Sequence, residues 1–290
     1  MSPTTSGKSH TWTARGALRA LARVPHRVAF AVRRASARVH PAPVFALGNQ
    51  KSGTTAITAL LSEATGASVT LDIFHELPPG VLTGLLERKI RFEDVVRRYR
   101  YWFSTPIIKE PSLTFFYEDL RLVFPQAKFL LIVRDPRDNI RSILNRLKLP
   151  GDLPDLDASH FAALSHKSGW RLLLDGTLYG SKGANYIETM ANRWNQAADV
   201  YLEHEDVIVL MRYESFRENK ASSIHELARL VGLEPTHDIS GRVDVQFQVR
   251  GDSGVRWEDF FGSDNLRRID AICGQRMARF GYRLSSEPQS

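Results

Sequence analysis

The sequence predicts an α/β fold, built on a mostly parallel sheet of about five strands with helices on both faces. Short apolar segments of strand length alternate with longer segments of helical spacing, as in βαβ units. The strand segments are apolar almost throughout, which indicates strands that are covered on both faces. The predicted strands span residues 44–47, 68–74, 106–108, 128–133 and 207–211.

The helices are predicted from apolar residues that recur on one face and from start and stop signals. Gly66 follows the first helix, and Asp135-Pro136 opens a later one, with aspartate as the N-cap and proline at the first helical position. The predicted helices span residues 54–63, 81–101, 118–124, 136–147, 187–203, 221–231 and 266–280.

The composition is that of an ordinary globular protein, with 290 residues of which 43% are hydrophobic and 24% charged. The net charge of +7 is concentrated at the start, where eight basic residues and no acidic residue precede position 44. The remainder is close to neutral, so the charge predicts no nucleic-acid partner for the domain. We predict a basic N-terminal arm over residues 1–42, a domain over 43–284 with an insertion at 150–185, and a tail over 285–290.

The basic arm has the pattern of an amphipathic helix, because four arginines spaced four residues apart share one face. They are Arg15, Arg19, Arg23 and Arg27. Three interpretations of residues 1–40 stay open: a helix on an anionic membrane surface, a targeting segment, or a solvated tail. Because no apolar run is long enough to span a membrane and Cys273 is the only cysteine, we expect a cytoplasmic location. Membrane association through the arm is the alternative, and the oligomeric state is not predicted.

A loop of small and polar residues separates the first strand from the first helix. It reads Leu47-Gly48-Asn49-Gln50-Lys51-Ser52-Gly53-Thr54-Thr55. Its backbone N–H groups, the helix N-terminus and the lysine can together bind an anion. The lysine precedes the glycine, so the loop lacks the Gly-Lys-Ser/Thr order of a Walker A motif. The sequence therefore predicts a phosphate or sulfate site, and the alternative is a plain strand–helix turn. The predicted ligands are Lys51, Ser52, Gly53, Thr54 and Thr55.

A second anion site is predicted after the fourth strand. Arg134 ends that strand, and Ser142 lies two turns into the helix that follows. Ligands gather at the carboxyl ends of strands in open α/β sheets, and a guanidinium with a hydroxyl suits a phosphate monoester. The alternative is a helix cap in which Arg134 pairs with Asp135.

These two segments resemble the sulfotransferases that use 3′-phosphoadenosine 5′-phosphosulfate (PAPS). Lys-Ser-Gly-Thr-Thr is similar to the family's 5′-phosphosulfate loop, and Arg134-Asp135-Pro136 with Ser142 is similar to its 3′-phosphate motif. The resemblance covers about residues 43–284 and implies a sulfotransferase domain with a fold like that of the P-loop NTPases. It also implies that PAPS is the sulfuryl donor, that 3′,5′-ADP (PAP) is a product, and that no metal is required.

Three further segments are similar to parts of the same family. Val249-Arg250-Gly251 before Trp257 resembles the segment that closes over the nucleotide, although the family's lysine after the arginine is absent. The resemblance implies Arg250 and Gly251 as 3′-phosphate ligands. Tyr213 resembles a tyrosine that meets the adenine, the alternative being a core or capping tyrosine. Phe280-Gly281-Tyr282 resembles the usual end of the family domain.

The implied reaction is an in-line transfer in which the protein positions the reactants and stabilises charge. Lys51 is predicted to neutralise the 5′-phosphate and stabilise the bridging oxygen, and the resemblance implies a similar role for Lys109 after the third strand. The acceptor hydroxyl needs a general base. Candidates for that base are, first, Asp72, then His75, with Glu110 and Glu76 as alternatives.

The acceptor is predicted only by class, as a hydroxyl on a carbohydrate or a lipid-linked molecule such as a glycan or glycolipid. Residues 78–104 and 150–185 are expected to line its side of the site. Basic residues near position 98 are candidates for holding an acidic acceptor, but a solvated helix face is favoured. Two other function classes stay open: a P-loop-type kinase that uses ATP and Mg²⁺, and a non-catalytic module that binds a nucleotide or polyanion.

Overall fold

Five parallel strands form one sheet in the computed structural model, which describes residues 34–165, 168–245 and 254–285. They are β1 (Val44–Gly48), β2 (Val69–Leu71), β3 (Ile107–Lys109), β4 (Lys128–Val133) and β5 (Ile208–Arg212). The strand order is β2-β3-β1-β4-β5, and every neighbouring pair is parallel. The predicted parallel sheet of about five strands is therefore confirmed. The predicted helix of the arm and the Arg250-Gly251 pair lie outside the described residues.

Helices connect the strands and cover the sheet. The α-helices are α1 (Thr54–Thr65), α2 (Ile73–Glu76), α3 (Val81–Leu86), α4 (Phe92–Arg98), α5 (Tyr117–Val123), α6 (Pro136–Leu147), α7 (Ala158–Ala163), α8 (Ser168–Asp175), α9 (Tyr186–Leu202), α10 (Tyr213–Glu218), α11 (Lys220–Leu230) and α12 (Trp257–Arg279). Two 3₁₀ helices span Arg100–Phe103 and Pro111–Phe116. None of the helices in the described ranges is long and apolar enough to cross a membrane.

The two faces of the sheet pack against different helices, as predicted. Val44 and Ala46 of β1 pack in a core with α1 and α11. Phe45 and Leu47, which alternate with them, pack on the other face with α6, α9 and α12. Because all four residues are apolar and buried, the strand reads as one continuous apolar run.

The prediction of a single helix over residues 81–101 is wrong. The chain instead forms α3, a turn, α4 and a 3₁₀ helix. In the turn, the carbonyl oxygen of Gly84 accepts hydrogen bonds from the N–H groups of Lys89 and Ile90, at 2.8 and 3.1 Å. Arg88 has a left-handed φ of 57° there. The apolar spacing suited each short helix but carried no signal for the turn between them.

Two element boundaries also differ from the prediction by more than two residues. Strand β2 ends at Leu71, because Asp72 has a left-handed φ of 51° and α2 begins directly after it. The last helix begins at Trp257 instead of residue 266, and bends at Gly262, whose φ is 66°. The predicted insertion over residues 150–185 contains α7 and α8.

Candidate active site

The loop between β1 and α1 leaves the carboxyl end of the central strand through a close backbone contact. Gly48 has a φ of 137°, and a Cβ atom there would lie 2.4 Å from the carbonyl oxygen of Ile132 on β4. The Gly48 N–H donates to Thr114 Oγ1 at 2.8 Å. These contacts fix where the loop begins, and they explain why glycine occupies this position.

Asn139 on α6 forms hydrogen bonds with three residues in the middle of the loop. Its Nδ2 donates to the Gln50 carbonyl oxygen at 2.8 Å and to Ser52 Oγ at 3.0 Å, and its Oδ1 accepts from Asn49 Nδ2 at 3.0 Å. The side chain is fully buried. Asn139 is not among the residues predicted from the sequence, because its loop partners lie 87 to 90 residues away along the chain. Through Asn139, the helix after β4 supports the loop after β1.

Lys51 lies at the tip of this loop, half-buried and with a left-handed φ of 68°. Burial lowers the pKa of its ammonium group, and the positive charges of Arg146, Arg134 and Lys109 lower it further. The site is therefore a concentration of positive charge. Sequence analysis missed Arg146, although it lies four residues after Ser142 and so on the same face of α6.

Arg134, at the end of β4, contacts the loop directly. Its Nη1 donates to the Lys51 carbonyl oxygen at 3.2 Å, and its Nη2 lies 3.6 Å from Asp138 Oδ2. Its Nε is buried and has no hydrogen-bond partner in the part of the chain that the structure describes. Ser142 lies half-buried on α6. The two predicted anion sites are thus adjacent, at the carboxyl edge of the sheet.

Tyr213 packs against both anion sites. A Cβ atom at Gly53, whose φ is 91°, would lie 2.3 Å from Tyr213 Cδ2, so the ring rests on the loop. The Arg134 guanidinium carbon lies 4.7 Å from the centre of the same ring. A tyrosine with only a packing or capping role would make the same contacts. Contact between Tyr213 and adenine therefore stays a prediction.

Glu214 joins the start of α10, next to Tyr213, to the segment Phe280-Gly281-Tyr282 and to the start of α6. Its Oε1 accepts from the Asp135 N–H at 3.0 Å, and its Oε2 accepts from the Tyr282 hydroxyl at 2.6 Å. Burial and the nearby Glu214 carboxylate raise the pKa of the Tyr282 hydroxyl. Glu214 therefore fixes the start of α6, and with it the position of Arg134.

Asp72 and Lys109 form an ion pair at the carboxyl ends of β2 and β3. Lys109 Nζ lies 2.5 Å from Asp72 Oδ1, with the lysine side chain 3% exposed and the carboxylate 37% exposed. The pairing follows from the sheet, because Leu71 and Lys109 are register partners and Asp72 is the next residue. Lys109 also bears electrostatically on Lys51. The structure therefore brings these three predicted residues together.

The other base candidates have different surroundings. Glu110 is buried, and its two oxygens accept from the N–H groups of Ser112 at 2.9 Å and Phe74 at 3.2 Å. Burial raises its pKa. His75 and Glu76 lie exposed on the short helix α2. Glu110 is thus committed to two backbone N–H groups, whereas the carboxylate of Asp72 combines partial exposure with a lysine partner.

The residues before α12 are anchored beside the second anion site. Trp257 Nε1 donates to Asp138 Oδ1 at 2.9 Å, and its ring lies 4.0 Å from the Arg137 guanidinium carbon. Arg141 hydrogen-bonds to the Val255 carbonyl oxygen and to Asp138. This anchorage holds the described residues that follow the predicted Arg250-Gly251 segment.

The basic residues around α4 have local partners. Arg97 pairs with Asp94 at 2.6 Å. Arg98 lies 5.7 Å from the centre of the Tyr99 ring. Arg100 donates to the carbonyl oxygens of Ala37 and Ala35 at 2.9 and 2.7 Å. These contacts favour a solvated helix face over a binding site for an acidic acceptor.

Solved sulfotransferases resemble this structure. Sulfotransferase STF9 from Mycobacterium avium has a TM-score of 0.51 and 13% identity, with 90% of this chain and 82% of that chain covered. The Alicyclobacillus acidocaldarius sulfotransferase has a TM-score of 0.48 and 16% identity, covering 86% and 99%. Mouse sulfotransferase SULT7A1 complexed with PAP has a TM-score of 0.49 and 18% identity, covering 84% and 87%. The likeness to STF9 confirms the predicted P-loop-like α/β fold.

Sequence comparison identifies the family. No curated protein sequence is significantly similar to this chain. A sequence model described as the sulfotransferase domain matches residues 41–250, which is well over half of the chain. This span includes the loop around Lys51 and the segment around Arg134. The chain therefore belongs to the sulfotransferase domain family.

Proposed function

We propose that this chain transfers the sulfuryl group of PAPS to an acceptor hydroxyl. The observation that carries the proposal is the cation cluster at the carboxyl edge of the sheet, where the positive charges of Arg146, Arg134 and Lys109 all act on the ammonium group of Lys51. Such a cluster suits a ligand with several negative charges, because close positive charges repel until an anion binds between them. The family match favours this function over an ATP kinase.

The donor is proposed to lie across the two anion sites. The backbone of residues 52–55 and the ammonium group of Lys51 would hold the 5′-phosphosulfate, at the N-terminus of α1. Arg134 and Ser142 would hold the 3′-phosphate, joined by Arg250 and Gly251. Tyr213 would meet the adenine. Direct contact between Arg134 and the Lys51 backbone supports this assignment, because one nucleotide carries both phosphates close together.

Lys51 is proposed to act on the leaving group. The bond between sulfur and the bridging oxygen of PAPS breaks while a bond between sulfur and the acceptor oxygen forms. Negative charge then grows on the 5′-phosphate, where a fixed ammonium group stabilises the transition state more than the ground state. The half-buried position of Lys51 strengthens this effect, since less water screens the charge.

Asp72 is proposed to take the proton of the acceptor hydroxyl. Its ion pair with Lys109 orients the carboxylate, and Lys109 links it to the charge around Lys51. His75 and Glu76 stay alternatives because they are exposed near Asp72. Glu110 is the weaker alternative, because two backbone N–H groups already occupy its oxygens.

The acceptor is proposed to be a carbohydrate or lipid-linked hydroxyl. A pocket of about 300 Å³ lies between the 3₁₀ helix before α5 and helix α9. Its lining includes aromatic rings, among them Phe115 and Tyr179, beside carboxylates and Gln196. Aromatic rings beside polar groups suit a sugar ring, although none of Lys51, Asp72 and Lys109 lines this pocket.

The N-terminal arm is proposed to bring the domain to an anionic membrane surface from the cytoplasmic side. The spacing of Arg15, Arg19, Arg23 and Arg27, which predicts one basic helical face, supports this role. Co-sedimentation with vesicles containing anionic lipid, using the full chain and a chain that starts at Pro41, tests it. We expect the shorter chain to lose binding, and equal binding by both chains would contradict the proposal.

The experiment for the central proposal is a turnover assay. The full chain is incubated with PAPS and a panel of sugar, glycolipid and phenol acceptors, and release of 3′,5′-ADP is measured. We expect acceptor-dependent release that the Lys51→Met variant lacks. A chain that binds 3′,5′-ADP tightly but releases none with any acceptor class would instead be a nucleotide-binding module.

A further inference from the structure

Arg193 on α9 is a fully buried arginine beside the loop between β1 and α1. Its guanidinium carbon lies 4.0 Å from the centre of the Phe115 ring and 3.9 Å from that of Tyr179, and these two rings contact each other edge-on with their centres 5.1 Å apart. Its Nη2 donates to Gln50 Oε1 at 2.9 Å. Its Nε and Nη1 are buried without a hydrogen-bond partner among the residues described.

This arrangement is poorly explained by stability alone. Burial lowers the pKa of Arg193, although the nearby Tyr179 and Glu110 favour its charged form. Contacts with aromatic faces offset only part of the cost of burying a charge. Burying a charged group costs free energy unless the charge is paired and its polar atoms are hydrogen-bonded. A buried guanidinium with two unpartnered nitrogens therefore points to a role in the site.

Both polar atoms of the side-chain amide of Gln50, the partner of Arg193, have a hydrogen-bond partner. Its Oε1 accepts from Arg193, and its Nε2 donates to Ser112 Oγ at 3.3 Å. Gln50 directly precedes Lys51, and its carbonyl oxygen accepts from Asn139. The orientation of the peptide that joins Gln50 to Lys51 therefore depends on the Gln50 side chain and on the arginine that fixes it.

We propose that Arg193 is a positioning residue for the 5′-phosphate half of the donor site, and that it acts through Gln50. The inference rests on the proposed function, because the ligand is the donor nucleotide. Arg134 and Ser142 would hold the 3′-phosphate. Among the residues that the structure describes, neither has a hydrogen bond to Gln50. Loss of Arg193 therefore weakens binding at the 5′-phosphate and spares binding at the 3′-phosphate.

The test compares two ligands by titration calorimetry on the full chain. One is 3′,5′-ADP, and the other is adenosine 3′-phosphate, which lacks the 5′-phosphate. We expect Arg193→Met and Gln50→Leu each to raise the Kd for 3′,5′-ADP about tenfold or more, the effect of losing a hydrogen bond to a charged group. The Kd for adenosine 3′-phosphate should change by less than about twofold.

A double-mutant cycle separates action through Gln50 from independent effects. The Arg193→Met/Gln50→Leu variant should lose no more affinity than either single variant. The matched control is Arg268→Met. It removes an exposed arginine of α12 that pairs with Glu188, a residue on the same helix as Arg193. This control should keep wild-type affinity for both ligands.

Each other outcome overturns the inference. An equal loss for both ligands would mean that Arg193 only supports the fold, and additive losses would mean that it does not act through Gln50. If Arg193→Met does not fold, Gln50→Leu decides, because wild-type affinity for 3′,5′-ADP in that variant overturns the inference. If the wild-type chain binds no 3′,5′-ADP, the proposed function fails first and this inference falls with it.

Discussion

Arg134 Nη1 lies 3.2 Å from the carbonyl oxygen of Lys51, so the residue predicted to bind the 3′-phosphate supports the backbone of the residue predicted to bind the 5′-phosphate. Asn139 adds a second connection between α6 and the same loop. The two anion sites are therefore one structural unit. Loss of Arg134, which takes part in both, is therefore expected to weaken both halves of donor binding.

Lys51→Met is expected to lower kcat by about 10²–10³, the usual loss when one charge-stabilising group is removed from a transition state. Affinity for 3′,5′-ADP should fall by only about tenfold, because other groups also bind the phosphates. Steady-state kinetics with PAPS and calorimetry with 3′,5′-ADP measure the two effects. Lys128→Met is the control, since Lys128 is exposed at the opposite end of β4. Near-wild-type turnover of Lys51→Met would contradict the leaving-group role.

Binding of 3′,5′-ADP is expected to weaken at alkaline pH because the pKa of Lys51 lies below its ordinary value of 10.5. Without a ligand, the ammonium group of Lys51 loses a proton as the pH rises through its lowered pKa. A bound phosphate, in contrast, favours the protonated form. Binding in that range is therefore accompanied by proton uptake, and affinity falls as the pH rises.

Calorimetry in two buffers of different protonation enthalpy, between about pH 7 and 10, measures this uptake. Lys51→Arg should remove the alkaline loss, because arginine stays protonated throughout the range. Identical pH curves for the wild type and Lys51→Arg would show that another group titrates.

Asp72→Asn is expected to lower kcat by about 10²–10⁴, the contribution of a general base. The Kd for 3′,5′-ADP should stay nearly constant, because the proposed role of Asp72 concerns the acceptor. The matched comparison is Glu76→Gln, which removes the alternative base, an exposed carboxylate on the adjacent helix α2. If Asp72→Asn keeps full activity and Glu76→Gln loses it, the base is Glu76.

Asn139→Ala is expected to reduce the free energy of unfolding by about 1–3 kcal/mol, because it leaves buried polar groups of the loop without partners. Affinity for 3′,5′-ADP should fall in the same variant, since the loop loses its support. Urea unfolding and calorimetry check both effects, with Gln126→Ala in an exposed turn as the control. Normal affinity with reduced stability would separate loop support from donor binding.

Local signals in the sequence were sufficient to predict the sheet and the position of the loop between β1 and α1. Apolar runs marked all five strands, since strands covered on both faces contain few polar residues. The Asp135-Pro136 pair gave the start of α6 correctly, because its capping hydrogen bond, which the Arg137 N–H donates to Asp135 Oδ1, is local. The turn at Gly84 was missed because its signal is a single close contact with Ile90.

The contacts that organise the site could not be predicted in the same way. The ion pair between Asp72 and Lys109 depends on β2 lying beside β3, which a single sequence does not reveal. Arg193 and Gln50 are 143 residues apart, and nothing near Arg193 in the sequence marks it as part of the site. Such pairings are set by sheet order and helix packing, beyond the range of sequence periodicity.

The most direct test of the donor assignment is a calorimetric titration of the full chain with 3′,5′-ADP, beside ATP with Mg²⁺. We expect 3′,5′-ADP to bind and to stabilise the fold by about 2.7 kcal/mol at 100 times its Kd. ATP with Mg²⁺ should bind far more weakly, because it lacks the 3′-phosphate for Arg134 and Ser142. Binding of ATP with Mg²⁺ and none of 3′,5′-ADP would contradict the account.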